Sequence, residues 1–584
     1  MATSGPAIAR ATTTSAALLQ RHGLPRLTLQ QVQSFFLSKQ LTSVQLFHYC
    51  RTLQIALEPL LHAYSYIPPI DGPLAQAEAA DLRLERKGGC PLTGIPLAIK
   101  ANLAVRDWPL TAGSPKILCP TTPVGYTADV IEACDSAGAV FMGHTTMDAF
   151  GMGSVGYHTE TRNPGNVLKS TDSYDAATVL DILHLPVEAI QEAIMEQQES
   201  SCDDSDFPFY LPGGSSSGSA VAVAAGSAIV AIGSDTGGSV RFPAALNGIV
   251  GFKPSYGVLS RHGLVSYASS FDTVGILGRT PSCVHATLEC ILKQQQNEDY
   301  RVRDSTQRAA AYTKNLVQSL QESSLYESRD LDRLRVGLPP AFAIEECSDA
   351  VRRAWNEGAK QLEERGATIV DEMTNVLRPE LLQQALAAYY VLVSAEAASN
   401  LSRYDGLRFG TTAPSETSKE NRSFTASHGE DATTLTPLER QYGTYRIQGF
   451  DREVIRRILC GTAVLSSDQF STYYETATQV RAALTDAMRR ILTDDVDVLL
   501  VPTSLQTTPP VKELHLHDDE DSATTTAVLA NDILTVPMSL AGLPTIAVPI
   551  STSGDPVLFQ PSLQLVGRTD DVVLRAARAL SSTM

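Results

Sequence analysis

The 584-residue chain lacks any CxxC pair, has only two tryptophans, and contains no apolar stretch long and clean enough to cross a membrane. Its nine cysteines (Cys50, Cys90, Cys119, Cys134, Cys202, Cys283, Cys290, Cys347 and Cys460) are scattered and odd in number. That pattern argues against a disulfide framework or a structural zinc site and fits a reducing compartment. The longest run without a charge, Phe207 to Ser234, is interrupted by proline, glycine and serine, so it reads as buried core rather than a membrane span. No secretory apolar segment is present, and no membrane partner is expected. Positive charge is also scarce: 46 Lys+Arg face 64 Asp+Glu, a formal net charge of −18. Such a balance argues against the chain being the main binder of a nucleic-acid backbone or an anionic lipid surface. The longest acid-free stretch is the start of the chain. The first acidic residue is Glu58, preceded by Arg10, Arg21, Arg26, Lys39 and Arg51, and residues 2–20 are rich in Ala, Ser and Thr. An acid-free, Arg-bearing, Ser-rich start is the organelle-transit pattern and predicts a transit or disordered leader over residues 1–26.

Hydrophobic residues make up 43% and charged residues 19%, a globular composition with a large core. The length exceeds one ordinary compact domain but lies within reach of large α/β enzymes. Short apolar runs at 139–143 (AVFMG), 228–233 (AIVAIG), 496–502 (VDVLLVP) and 545–550 (TIAVPI) read as strands buried on both faces. Residues 348–366 place Val351, Trp355, Ala359 and Leu362 on one helical stripe, with Gly366 where a C-terminal cap belongs. Alternation of this kind predicts an α/β fold, a large mixed, mostly parallel sheet covered by helices on both faces. Two segments read as insertions, 165–206, which is acidic, and 411–436, which is polar without an apolar period. No fixed-period repeat is present.

The chemistry concentrates in "LPGGSSSGSAVAVAAGSAIVAIGSDTGGSVRFPAALNGIVGFKP", Leu211 to Pro254. A Gly/Ser loop runs into an Ala-rich helix, a strand and a second Gly-rich turn, which brings backbone N–H groups of both turns to one end of a sheet. A phosphate loop is excluded, since no G-x-x-x-x-G-K-[ST] occurs. "GSSSG", Gly214 to Gly218, matches the nucleophile-elbow pattern with Ser216 central, although that pattern needs a preceding strand and "DFPFYLP" carries two prolines there. The third reading takes Ser239 as nucleophile, with the amides of Thr236, Gly237, Gly238 and Ser239 turned toward a developing oxyanion. A base for it is Lys100 of "GIPLAIKAN". A lysine closing a buried apolar stretch is desolvated and accepts a proton more readily, whereas a snorkelling surface lysine does not.

"GGSSSGSAVAVAAG", "GSDTGGSVRFPAALNGIVGFKPSYG" and "GIPLAIK" together resemble the amidase signature family. The resemblance implies a Ser–Ser–Lys triad whose bridging serine lies 24 residues before the nucleophile, which is the spacing from Ser215 to Ser239. It assigns Ser239 as nucleophile, Ser215 as bridging serine after a cis peptide bond, and Lys100 as base. Further stretches, "TTMDAFGMGS" (145–154), "SRHGLVSYASSFDTVG" (260–275), "YYVLVSAEAASNLSRYDGLRFG" (389–410) and "ANDILTVPMSLAGLP" (530–544), resemble the A subunits of glutamyl-tRNA(Gln) amidotransferases from about Leu27 to Arg578. This implies an amidase domain over 27–584 and a glutamine pocket in which Arg457 and Asp532 hold the carboxylate and ammonium ends, lined by Tyr389. It further implies two partners, a B-type amidotransferase subunit plus a small third one (C-type or fungal F-type), with Glu-tRNA(Gln) bound mainly through the B-type partner. The resemblance implies no cofactor bound by this chain, ATP and Mg used by the complex, and a mitochondrial matrix or other organellar location. A stand-alone amidase acting on a small amide or ureide, allophanate-like, is the alternative. The chain departs from the family at Ala101, Ala149 and Ser217, which bears on the hydrogen bonds around Lys100. "HLHDD", His515 to Asp519, lies in a polar stretch and reads as solvated, so no metal is expected.

Overall fold

The computed structural model describes residues 26–153, 159–166, 185, 187–188, 190–192, 210–297, 300–325, 331–373, 377–407, 436–509, 530–551 and 559–581. Residues 1–25 of the expected leader, most of the 165–206 segment, all of 411–435 and the His515–Asp519 stretch lie outside the described residues. Arg26, the last residue assigned to the leader, is buried. Within the first insertion, Ile190 is buried in the main core and Gln191 donates to the Ala56 carbonyl, so part of that segment packs on the body.

Among the described residues eleven strands form one sheet: β1 (Tyr64–Tyr66), β2 (Pro96–Lys100), β3 (Val140–Thr145), β4 (Val230–Asp235), β5 (Val250–Lys253), β6 (Thr273–Gly278), β7 (Arg335–Gly337), β8 (Thr368–Val370), β9 (Val498–Pro502), β10 (Thr545–Pro549) and β11 (Ser562–Gly567). Their order across the sheet is β1-β3-β2-β4-β6-β5-β10-β11-β9-β7-β8. The four apolar runs read from the sequence are strands β3, β4, β9 and β10, and every residue in each is buried. They are buried on both faces because helices cover both. In β9, Val498 and Leu500 point into one apolar core while Leu499 and Val501 point into the other.

The sheet is mixed, but not mostly parallel. Six of its pairings are antiparallel and four parallel. Strand–helix alternation shows that elements alternate, but not which strands become neighbours. Here β5 and β6 are joined by residues 254–272, which contain no helix, so β6 returns antiparallel and inserts between β4 and β5.

The predicted 348–366 helix spans Asp349–Glu363, capped by the Ser348 hydroxyl, which accepts from the Val351 amide. Gly366 adopts φ +97°, and the Ala367 amide donates to the Leu362 carbonyl, closing the helix end. For function, one pairing matters most. β2 and β4 are adjacent and parallel with Ile99 opposite Ile232, so both chains leave the sheet at the same end, Lys100 beside the Gly233–Ser234 bond. Crevices at the carboxyl ends of parallel strands are where α/β sheets place their sites.

Candidate active site

Lys100 ends β2 and is fully buried between β3 and β4. Its Nζ lies 2.8 Å from Ser215 Oγ, 2.9 Å from Ser234 Oγ and 3.3 Å from the Ser234 carbonyl oxygen. Burial pulls its pKa down to about 7, against the opposite pull of Asp148, Asp235 and Asp272. A surface lysine reaching for water is therefore ruled out. Ser215 follows a cis peptide bond from Gly214 and is itself buried. Ser216 is fully buried, its hydroxyl donates to the Ser234 carbonyl at 3.2 Å, and its amide donates to the Ser239 carbonyl at 3.1 Å. Residues 211–216 form no strand, so the nucleophile-elbow geometry at Ser216 is missing. The Ser216–Ser239 backbone bond instead lays the Gly/Ser loop against the second turn.

That second turn leaves β4 at Asp235 and enters the short helix Arg241–Leu246. Its two glycines have a steric cause. A Cβ on Gly237 would come within 2.4 Å of Tyr389 Oη, and one on Gly238 within 2.5 Å of Thr535 Oγ1. No described group accepts from the Gly237, Gly238 or Ser239 amides, which leaves these three available to an oxyanion. Thr236 instead anchors the turn, its hydroxyl donating to Asp272 at 2.8 Å. The turn is clamped by a buried ion pair: Arg241 Nη2 to Asp235 Oδ1 at 2.9 Å and Nε to Oδ2 at 3.0 Å. Arg241 also donates to the Thr535 carbonyl, Gln564 and Ser539, each at 2.9 Å. Burial alone would raise the Asp235 carboxyl, but the Arg241 charge and hydrogen bonds outweigh it and hold the pKa below the ordinary value. Arg241→Met is expected to lower unfolding stability by about 3–5 kcal/mol, since it strands a buried carboxylate. Equilibrium urea denaturation reads this, and a midpoint equal to that of the wild type would show that the pair contributes nothing.

Ser239 opens onto a small pocket lined also by Gly151, Gly214, Tyr267, Tyr389, Arg457 and Asp532. The pocket thus collects the expected substrate residues from three separate helices, Pro379–Leu401, Arg452–Val464 and Asp532–Leu540. Arg457 Nε donates to Glu453 at 2.7 Å and Nη1 donates to Tyr267 Oη at 2.7 Å. Its Nη2 has no acceptor among the described residues, so the outer edge of the guanidinium remains open to a carboxylate. The Tyr390 ring lies 4.7 Å below the Arg457 guanidinium, and its hydroxyl donates to Asp532. Burial works against the Arg457 charge, but Tyr267, Tyr390 and Glu453 outweigh it and hold the pKa above the ordinary arginine value.

The family described as Amidase matches residues 49–170 and 208–571 of this sequence. The chain belongs to the amidase family. Among its relatives, the A subunit of the mitochondrial glutamyl-tRNA(Gln) amidotransferase of Ajellomyces capsulatus is 36% identical over 491 residues, covering 80% of this chain and 81% of the relative. The mitochondrial A subunit of Emericella nidulans is 32% identical over 535 residues, covering 86% and 92%. Of the solved structures, the A subunit of glutamyl-tRNA(Gln) amidotransferase from Thermotoga maritima aligns with a TM-score of 0.60 at 26% identity, over 92% of this chain and 94% of that one. These relatives favour the amidotransferase reading over a stand-alone amidase.

Apart from Thr236, whose hydroxyl turns to Asp272, the site residues expected from the sequence fall into two adjoining groups. Lys100, Ser215 and Ser234 are bonded together, while Gly237, Gly238, Ser239, Tyr389, Arg457 and Asp532 line the pocket. Of the departures, Ala101 is buried beside Lys100 with its amide on the Thr145 carbonyl, and Ala149 opens the turn Ala149–Gly151. Ser217 begins the helix Ser217–Ala224, its hydroxyl donating to the Thr146 carbonyl at 3.4 Å. None of the three contacts Nζ, whose partners are Ser215 and Ser234. Reading the sequence missed Ser234, Asn102, the Asp235–Arg241 clamp, Tyr267 and Tyr390. The one available signal was the Asp and Arg flanking the Gly-rich turn in "SDTGGSVR".

Proposed function

We propose that the chain is the glutaminase component of a tRNA-dependent amidotransferase. The observation that carries this reading is the placement of Arg457 and Asp532 in the same pocket as Ser239. Free glutamine is a zwitterion, and an arginine and an aspartate complement its two ends. In the proposed reaction, neutral Lys100 takes the Ser239 proton through Ser215 while Ser239 Oγ attacks the side-chain amide carbon. The Gly237, Gly238 and Ser239 amides take the oxyanion, while Thr236 holds the turn through Asp272. The proton returns through Ser215 to the leaving nitrogen, ammonia departs, and water releases glutamate from the acyl-serine.

In this reading a B-type partner, joined by a small third subunit, uses ATP and Mg to activate Glu-tRNA(Gln) and captures the ammonia as Gln-tRNA(Gln). The acidic balance of this chain suits one that leaves tRNA to its partner. The fungal relatives' mitochondrial names and the acid-free start support a place in the mitochondrial matrix. The test is to assemble the chain with its partner subunits, supply glutamine, ATP and Glu-tRNA(Gln), and follow Gln-tRNA(Gln). A glutamine analogue that traps the acyl-enzyme is expected to label Ser239. A label on Ser216, or a preference for an uncharged amide over glutamine, would overturn the reading.

A further inference from the structure

We propose that Ser234 is a positioning residue for Lys100: its hydroxyl and carbonyl oxygens occupy two N–H bonds of the neutral amine, reserving the nitrogen lone pair for Ser215. This deepens the reading of Lys100 as the base and rests on it. The inference follows from a donor and acceptor count. A lysine ammonium carries three N–H donors, while the neutral amine carries two and one lone pair. Nζ has three partner atoms, Ser215 Oγ, Ser234 Oγ and the Ser234 carbonyl oxygen, and all are buried away from water. The charged form is therefore fully satisfied. In the neutral form one of the three partners must donate to nitrogen instead of accepting.

Which one donates decides whether Lys100 can act. The Ser234 carbonyl can only accept, and it already accepts from Ser216 Oγ. The Ser234 hydroxyl is held by Asn102, whose Nδ2 donates to the same Oγ at 2.9 Å. Asn102 thus fixes the Ser234 oxygen in front of Nζ. Asn102 takes one lone pair of Ser234 Oγ; when the other accepts from Nζ, the Ser215 hydroxyl is the group left to point its proton at nitrogen, which is the bond the relay requires. The direct partners of Nζ are neutral. The charged groups around Lys100 are Asp148, Asp235 at the end of β4 and Asp272 before β6, and of these Asp235 is already paired with Arg241. A neutral hydroxyl at Ser234 satisfies the amine without adding a further charge that would lock it as ammonium.

The experiment is the pH dependence of kcat/KM for glutamine in the assembled enzyme. Ser234→Ala removes the hydroxyl acceptor and leaves one ammonium N–H buried without a partner. The charged form is then disfavoured, so the acid limb is expected to move downward by about one to two pH units. With the lone pair no longer aimed, kcat is expected to fall roughly tenfold or more, a part of what general-base catalysis contributes. KM should stay within about twofold, because Ser234 is not among the pocket-lining residues. Ser234→Thr keeps the hydroxyl and is expected to restore both limb and kcat. Ser234→Cys, with a poor acceptor in nearly the same volume, should show the limb shift even if the alanine variant folds badly. An unmoved acid limb in both Ser234→Ala and Ser234→Cys, or a threonine variant as impaired as alanine, would overturn the inference. Lys100→Met separates the two ideas. If it stays active, the base assignment has failed. If it is inactive while the Ser234 variants keep the wild-type limb, only the positioning role has failed.

Discussion

Lys100→Arg is expected to leave a folded chain whose glutamine hydrolysis is slower by roughly 10²–10⁴-fold in kcat, the usual span of general acid–base catalysis. Arginine keeps the positive charge and the donors but is never deprotonated in proteins, so it fills the place of the base without being one. The site is fully buried, and a guanidinium is bulkier than an ammonium, so the arginine variant alone would confound chemistry with crowding. Lys100→Met closes that gap, since it keeps the length and apolar stem and removes the titrating group. Both are expected to be inactive, and the methionine variant is expected to unfold at a denaturant concentration no lower than the wild type. The same assignment fixes the direction of the pH profile. Lys100 works only when neutral, and burial brings its pKa down to about 7. Activity should therefore rise with pH through about 7 and be lost on acidification below it. An arginine variant that keeps most of its activity, or a profile flat across that region, would remove Lys100 from the relay.

The fold was legible where burial on both faces forces a run of apolar residues. Strands β3, β4, β9 and β10 announce themselves because parallel and inner strands have no polar face to show. Strand direction was not legible, because it depends on how a helix-free connection such as 254–272 returns to the sheet, and no local pattern records that. The site divides in the same way. Ser215 and Ser239 sit in a Gly/Ser pattern that is unusual on its own. Lys100 reads from sequence as either buried or snorkelling, and only its place in β2, between β3 and β4, decides. Ser234 and Asn102 gave no signal, since a serine in a strand and an asparagine after one are ordinary residues. Their roles exist only because parallel pairing puts the ends of β2 and β4 side by side. Tyr390 was hidden by its neighbour: Tyr389 faces the Gly237 turn, and one residue further along the same helix Tyr390 faces Arg457 and Asp532.

Arg457→Ala is expected to lower kcat/KM for glutamine by roughly 10- to 150-fold, mostly through KM. Charge-assisted hydrogen bonds are worth about 1.5–3 kcal/mol, and a contact to the α-carboxylate is made in the ground state and transition state alike. The guanidinium is well prepared for that contact. Glu453 and Tyr267 fix two of its nitrogens and Tyr390 supports its face, so little side-chain freedom is lost when substrate binds. Alanine also leaves the Tyr267 hydroxyl without its partner, although Glu453 keeps Arg456, so loss of substrate binding must be separated from any loss of order in the pocket. An uncharged primary amide makes that separation. It never used the contact, and its kcat/KM should be nearly unchanged in Arg457→Ala. Asp532→Ala should behave in parallel through loss of the ammonium partner, with Tyr390 losing its acceptor as well. The measurement is kcat/KM on both substrates, for wild type and both variants, with the partner subunits present. Equal losses on glutamine and on the uncharged amide would make Arg457 and Asp532 structural supports of the tyrosine wall. Losses confined to glutamine would make them the two ends of an amino-acid pocket whose side-chain amide is delivered to Ser239.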